Sequence, residues 1–195
     1  MSDKGSLQPE LRELYDQVGA IKREAEELVK GLTEEQCAWQ PTPQQWSIAQ
    51  CIEHLNVTAR MYFPMVHESI NQARAQGWLG AGPFKYGWLI NWFLRATEPP
   101  PKRRFKAPRR FVPPPDRPMS EIWPSFLAFQ ERFLELIVRA NGVDLARARV
   151  QSPAFKFLTF PLGRALALTT AHERRHLWQA RQVLEELKAQ RDAKK

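Results

Sequence analysis

Cysteine is scarce in this chain. Cys37 and Cys51 are its only two, which excludes a disulfide-framed fold and makes a reducing cytoplasm the expected location. No stretch approaches the roughly 20 uninterrupted apolar residues of a transmembrane helix, so no membrane span is expected. Met1 to Leu14 is polar and charged, without the apolar centre of a secretory signal. Strand-like alternation and internal repeats are also missing. Histidine is sparse as well: four residues, His54, His67, His172 and His176, must supply any imidazole site.

What the chain does contain is ordinary for a soluble globular protein, with 43% hydrophobic and 26% charged residues. Its 195 residues suit one well-buried domain, taken here as 1–195. The net charge of +8 is unevenly spread. Residues 98–118 carry seven basic side chains against Glu98 and Asp116, together with eight prolines that exclude regular helix. The basicity therefore belongs largely to a loop, which weakens any reading as a nucleic-acid-binding body.

Four long helical patterns stand out, at about 8–30, 47–76, 119–140 and 161–190. In the first, Leu11, Leu14, Val18, Ile21, Ala25 and Leu28 recur at helical spacing, and Gly31 is placed to stop it. The second opens on a start signal: Ser47 caps the third amide, Gln50 reaches back to complete a capping box, and Trp46 staples onto Cys51. The third buries Ile122, Phe126, Phe129, Phe133 and Ile137. The fourth aligns Leu162, Leu166, Thr169, His172, His176, Val183 and Leu187. Between the second and third lies an excursion, 77–118, aromatic at first (with a short helix expected around Trp88–Arg95) and then basic and proline-rich. Four amphipathic helices with one long crossover predict an all-α four-helix bundle.

The run His172-Glu173-Arg174-Arg175-His176 puts two imidazoles one turn apart on one helix face. It also spells H-E-x-x-H, the zinc-protease signature. That reading fails on reach. A protease needs a third ligand downstream, yet no histidine follows His176, and Glu185 sits about 13 Å further along a continuous helix. His54 is the better partner, because facing helices with axes roughly 8–10 Å apart let imidazoles meet in the core. Three neutral histidines with an open fourth position are a catalytic rather than a closed structural arrangement. His67, over three turns from His54, is a poorer candidate.

Trp46-Ser47-Ile48-Ala49-Gln50 with Glu53-His54-Leu55, followed late by His172-x-x-x-His176-x-x-Gln179, resembles the DinB/YfiT-like superfamily. The resemblance covers roughly residues 8–76 and 119–190. It implies an up-up-down-down bundle, often homodimeric, holding one divalent metal on His54, His172 and His176. It also implies a thiol-dependent transferase acting on a small-molecule substrate, or a metal-dependent hydrolase. Histidine ligands suit zinc, nickel and iron alike, and a low-molecular-weight thiol would be the second cofactor. The 77–118 excursion departs from the compact pattern and is placed to cover the pocket mouth.

Other residues near the motif have competing readings. Glu173, roughly 100° around the helix from His172, reads as a surface or supporting carboxylate rather than a general base. Gln179 either lines the pocket or packs between helices. Cys51 reads as a small core residue beneath Trp46 before it reads as a fourth ligand. Arg164, Arg174 and Arg175 would attract an anionic thiol if unpaired. A rival class is a non-catalytic protein using 98–118 to grip anions or nucleic acid, although those cations lie on no helix and match no nucleic-acid motif.

Overall fold

The computed structural model describes residues 6–100, 107–153 and 157–193. The fold is all-α, with six helices and one small hairpin among the described residues. Helix α1, Pro9–Val29, starts with proline at its first position and buries the six apolar residues that its spacing singles out. Gly31 follows at φ 73°, a left-handed turn that glycine adopts without penalty. A short helix that the periodicity does not reveal, α2 (Glu34–Ala38), comes next, opened by a capping box between Thr33 and Gln36.

Helix α3, Ile48–Ala75, begins at the expected capping box. Gln50 N–H donates to Ser47 Oγ at 3.1 Å, and Ser47 N–H donates to Gln50 Oε1 at 2.9 Å. Within the excursion, α4 spans Trp88–Thr97 and a single 3-10 turn spans Arg109–Phe111. Helix α5, Met119–Arg139, has no capping side chain at Pro118. Its first amides are met from a distance: Met119 and Ser120 N–H groups donate to the Glu34 carboxylate at 2.7 and 2.9 Å. These two bonds hold the Glu34 carboxyl below its ordinary pKa.

The expectation of no strands needs correcting. Arg149–Gln151 (β1) pairs antiparallel with Thr159–Pro161 (β2), Val150 opposite Phe160, and Leu79 bridges Val143. Three-residue strands are too short to show alternation, so the sequence carries no signal for them. The last helix, α6, runs from Leu162 to Asp192.

Helices α1 and α3 each pack against both α5 and α6, and α4 lies on α6. The core forms two apolar clusters. One gathers Leu11, Val18, Phe63, Ile70, Phe133, Leu162 and Leu166; the other gathers Ile21, Ile48, Ile52, Ile122, Phe126, Leu177 and Val183. Along α3, α5 and α6, a set of buried polar side chains falls between the two: Glu53, His54 and Asn56, then Gln130, then Glu173 and His176. A buried polar layer of this kind must satisfy itself internally or through a bound group.

Candidate metal centre

Two helices bring the three histidines together. His54 comes from the first two turns of α3, and His172 and His176 share a face of α6. One ligand-type nitrogen from each lies within 4.8 Å of the others. The rings stand 4.4–5.0 Å apart between centroids. His54 Nε2 approaches His172 Nε2 to 3.2 Å. Two nitrogens bound about 2 Å from a tetrahedral zinc would stand about 3.3 Å apart, so this spacing suits a shared ion.

The tautomer of His54 is set from outside. Its Nδ1–H donates to the Phe111 carbonyl at 2.7 Å, which leaves the Nε2 lone pair directed at the other imidazoles. An outer hydrogen bond of this type fixes ring orientation and raises ligand basicity. Phe111 belongs to the 3-10 turn of the basic excursion, a contribution no local motif could reveal.

Trp46 was expected to serve as a helix staple. It packs against the second core cluster, and it also tilts onto the His54 ring at 4.8 Å and the His176 ring at 5.8 Å, walling the site.

Burial is the main cause of the electrostatics. It pushes the His172 pKa down to about 3, helped by His54 and Arg175. It also lowers His54 against the opposing Phe111 bond. His176 falls well below its ordinary value through burial, then His172, His54 and Arg175, and a hydrogen bond with Gln179 opposes the shift. All three rings are therefore neutral near pH 7, the form that ligates metal. His172 Nδ1 and His176 Nδ1 are buried without a hydrogen-bond partner among the described residues. Neutral imidazole donors at ligand-like spacing fit a divalent ion, which His54, His172 and His176 could hold.

The shifts have a consequence for the metal-free protein. Each ring binds its proton more weakly folded than unfolded, so stability is complete above the unfolded pKa near 6.5 and is lost as pH falls below it. The slope is about 1.4 kcal/mol per pH unit for each ring. Urea midpoints of chelated protein should fall steadily between about pH 6.5 and about pH 5; a flat profile would contradict neutral buried imidazoles.

The other candidates part company here. Glu173 is no surface carboxylate. It is buried, accepts a hydrogen bond from Gln130 Nε2 at 3.1 Å, and its pKa is pushed up to about 7 by burial. Its neighbour there is Gln130 of α5, which the geometry of α6 alone does not reveal. It is not among the converging ligands. Cys51 is fully buried in the second core cluster, where burial raises its thiol pKa, and it too lies outside that group. Gln179 is half-buried beside His176. His67 lines a separate cleft of about 380 Å³ with Phe63, Phe129 and Arg132.

The excursion is tied down on either side of the histidines. Glu98 at the end of α4 pairs with Arg174, which lies between His172 and His176. Arg117 at the other end pairs with Glu53, next to His54, at 2.8 Å. Arg164 is occupied as well, with Glu10 at 3.1 Å and Asn91 at 2.8 Å. Arg164 and Arg174 are thus internally matched and do not stand open to an anionic cofactor. Lys102, Arg103, Arg104 and Lys106 lie outside the described residues.

Fold and site define an all-α protein with a largely buried three-histidine cluster, His172 being partly exposed, that could hold a metal ion. The DinB superfamily model matches residues 17–180, and the chain belongs to that superfamily. No curated protein and no solved structure shows significant similarity to it.

Proposed function

We propose that the chain is a single-domain, metal-dependent enzyme. In this reading α1, α3, α5 and α6 form an up-up-down-down four-helix bundle, and one divalent ion is held by His54, His172 and His176. The observation that carries it is the 3.2 Å approach of two neutral Nε2 atoms, with His54 oriented by the Phe111 carbonyl. Held by these three histidines, such an ion would supply Lewis acidity.

The reaction proposed is transfer of a low-molecular-weight thiol to a small electrophile. Kinship with a superfamily that includes thiol-dependent enzymes supports it, as an analogy of fold rather than of site. The chain's own residues hold and screen the centre. His54 keeps its proton on Nδ1, Trp46 excludes water from one side of the imidazoles, and Gln179 stands beside His176 to orient a polar ligand. Glu173 faces Gln130 and takes no part as a base.

The test is to load the purified protein with zinc, nickel or iron and present a panel of thiols with alkylating electrophiles. Thiol consumption that requires metal and stops on chelation is expected. Hydrolysis of esters or amides without thiol consumption would move the assignment to a hydrolase. No turnover with any pair would sink the transferase reading.

A further inference from the structure

We propose that α4 and the neighbouring hairpin tip form a docking face for an anionic lipid surface, to which the protein binds peripherally. None of the ten residues of α4 is buried. Its inner side is nevertheless satisfied: Leu94 packs on the core and Asn91 Oδ1 accepts a hydrogen bond from Arg164. The outer side carries Trp88, Leu89, Trp92 and Phe93, at 78%, 61%, 58% and 46% exposure. Positions i, i+1, i+4 and i+5 fall on one side of a helix. The helix therefore points its apolar stripe outward, the reverse of a core-facing surface helix.

The patch continues onto the hairpin. Phe93 stacks on Phe160 with ring centroids 6.3 Å apart and planes at 7°. Just before Phe160, Leu158 is 42% exposed and Phe157 wholly exposed. Contiguous exposed apolar surface of this kind marks an interaction site, where a single exposed leucine would not.

Charge identifies the occupant. Residues 84–97 include Lys85 and Arg95 and no carboxylate. Between Asp144 and Glu173 the described residues include Arg147, Arg149 and the internally paired Arg164, again with no carboxylate, and Arg149 lies on the hairpin itself, bonded to the Thr159 carbonyl. Glu98 and Glu10, the acids beside α4, are paired inward with Arg174 and Arg164, so an apolar face flanked by Lys85, Arg95 and Arg149 suits a negatively charged membrane surface, where tryptophans settle at headgroup depth and basic side chains meet anionic lipid. A second copy of the chain would set the two cationic surrounds against each other. Nucleic acid would leave the outward Trp88, Leu89, Trp92 and Phe93 without an apolar partner. Ten helical residues span about 15 Å, too little to cross a bilayer.

The experiment is flotation of the full-length, metal-loaded protein with vesicles of phosphatidylglycerol mixed with phosphatidylcholine, and with phosphatidylcholine alone. Binding to the anionic vesicles only, weakened by salt and accompanied by a blue shift of tryptophan emission, is expected. The variant Trp88→Ala/Trp92→Ala, with unchanged circular dichroism and metal content, should bind roughly tenfold more weakly or less. Four results would each overturn the proposal. These are no binding to anionic vesicles, equal binding to neutral ones, wild-type binding by the double variant, or a wild-type dimer that the double variant converts to monomer. Retention on duplex DNA without vesicle binding would overturn it as well.

Discussion

Replacing His172 and His176 together by alanine should take bound divalent metal from about one ion per chain to near none, measured by elemental analysis of purified protein. The two rings supply two of the three nitrogens that converge within 4.8 Å. His54 alone, even when oriented by Phe111, cannot retain an ion against buffer. Glu173→Gln is the informative control. The carboxylate faces Gln130, and burial already favours its protonated form, so this variant should keep its metal. Metal content unchanged in the double-alanine variant would remove the centre. Loss of metal in Glu173→Gln would instead count the carboxylate among the groups that hold the ion.

The second large effect is expected at Glu53, whose side chain is 1% exposed and organises the layer beside the histidines. Its Oε1 accepts from Arg60 at 2.5 Å and Arg117 at 2.8 Å, and its Oε2 accepts from Asn56 at 2.8 Å. Asn56 also donates to the Ile122 carbonyl on α5. Glu53→Ala strands a buried amide and two guanidinium groups. Breaking a buried charge pair from one side costs about 3–5 kcal/mol, and the lower end applies because both arginines are partly exposed. A drop of about 3 kcal/mol in unfolding free energy, read from denaturant midpoints, is the expected result. Metal affinity should weaken in parallel, since Arg117 anchors the segment whose Phe111 carbonyl orients His54. A cost below about 0.5 kcal/mol would put these contacts among ordinary surface ion pairs.

The four long helices were legible because each repeats an apolar stripe every three or four residues and opens or closes on local chemistry. Ser47 with Gln50, and Gly31 after α1, are signals contained within a few residues. Helix α4 was legible for the same reason, near its actual bounds. Helix α2 is a single turn, shorter than any stripe, and only its capping box marks it. The strands β1 and β2 are three residues each and pair only across an intervening loop.

The site divides in the same way. His172 and His176 were visible as a pair because 3.6 residues per turn puts i and i+4 together wherever the helix goes. His54 could be nominated, since only four histidines exist and facing helices can bring two of them together. The wall and the orienting partner could not. Trp46 reads locally as a staple, and its contacts with His54 and His176 depend on how α6 lies against α3. The Phe111 carbonyl is a backbone atom 57 residues from His54 and carries no side-chain signature. Glu173 was expected as a surface or supporting carboxylate, and its burial was not legible because one-helix geometry says which direction a side chain points but not whether a neighbour waits there.

Alone, then, the sequence determined the helices, the imidazole pair and the family, all consequences of short-range periodicity and residue type. Tertiary structure alone decided that the proline-rich excursion is fastened across the histidines by Glu98, Phe111 and Arg117. It also decided that Glu173 is buried against Gln130 and that α4 turns its tryptophans outward. The physical reason is the same each time. These outcomes depend on which surfaces meet across tens of residues of chain, and the free energy of that meeting is distributed over the whole packed core, not written in any local pattern.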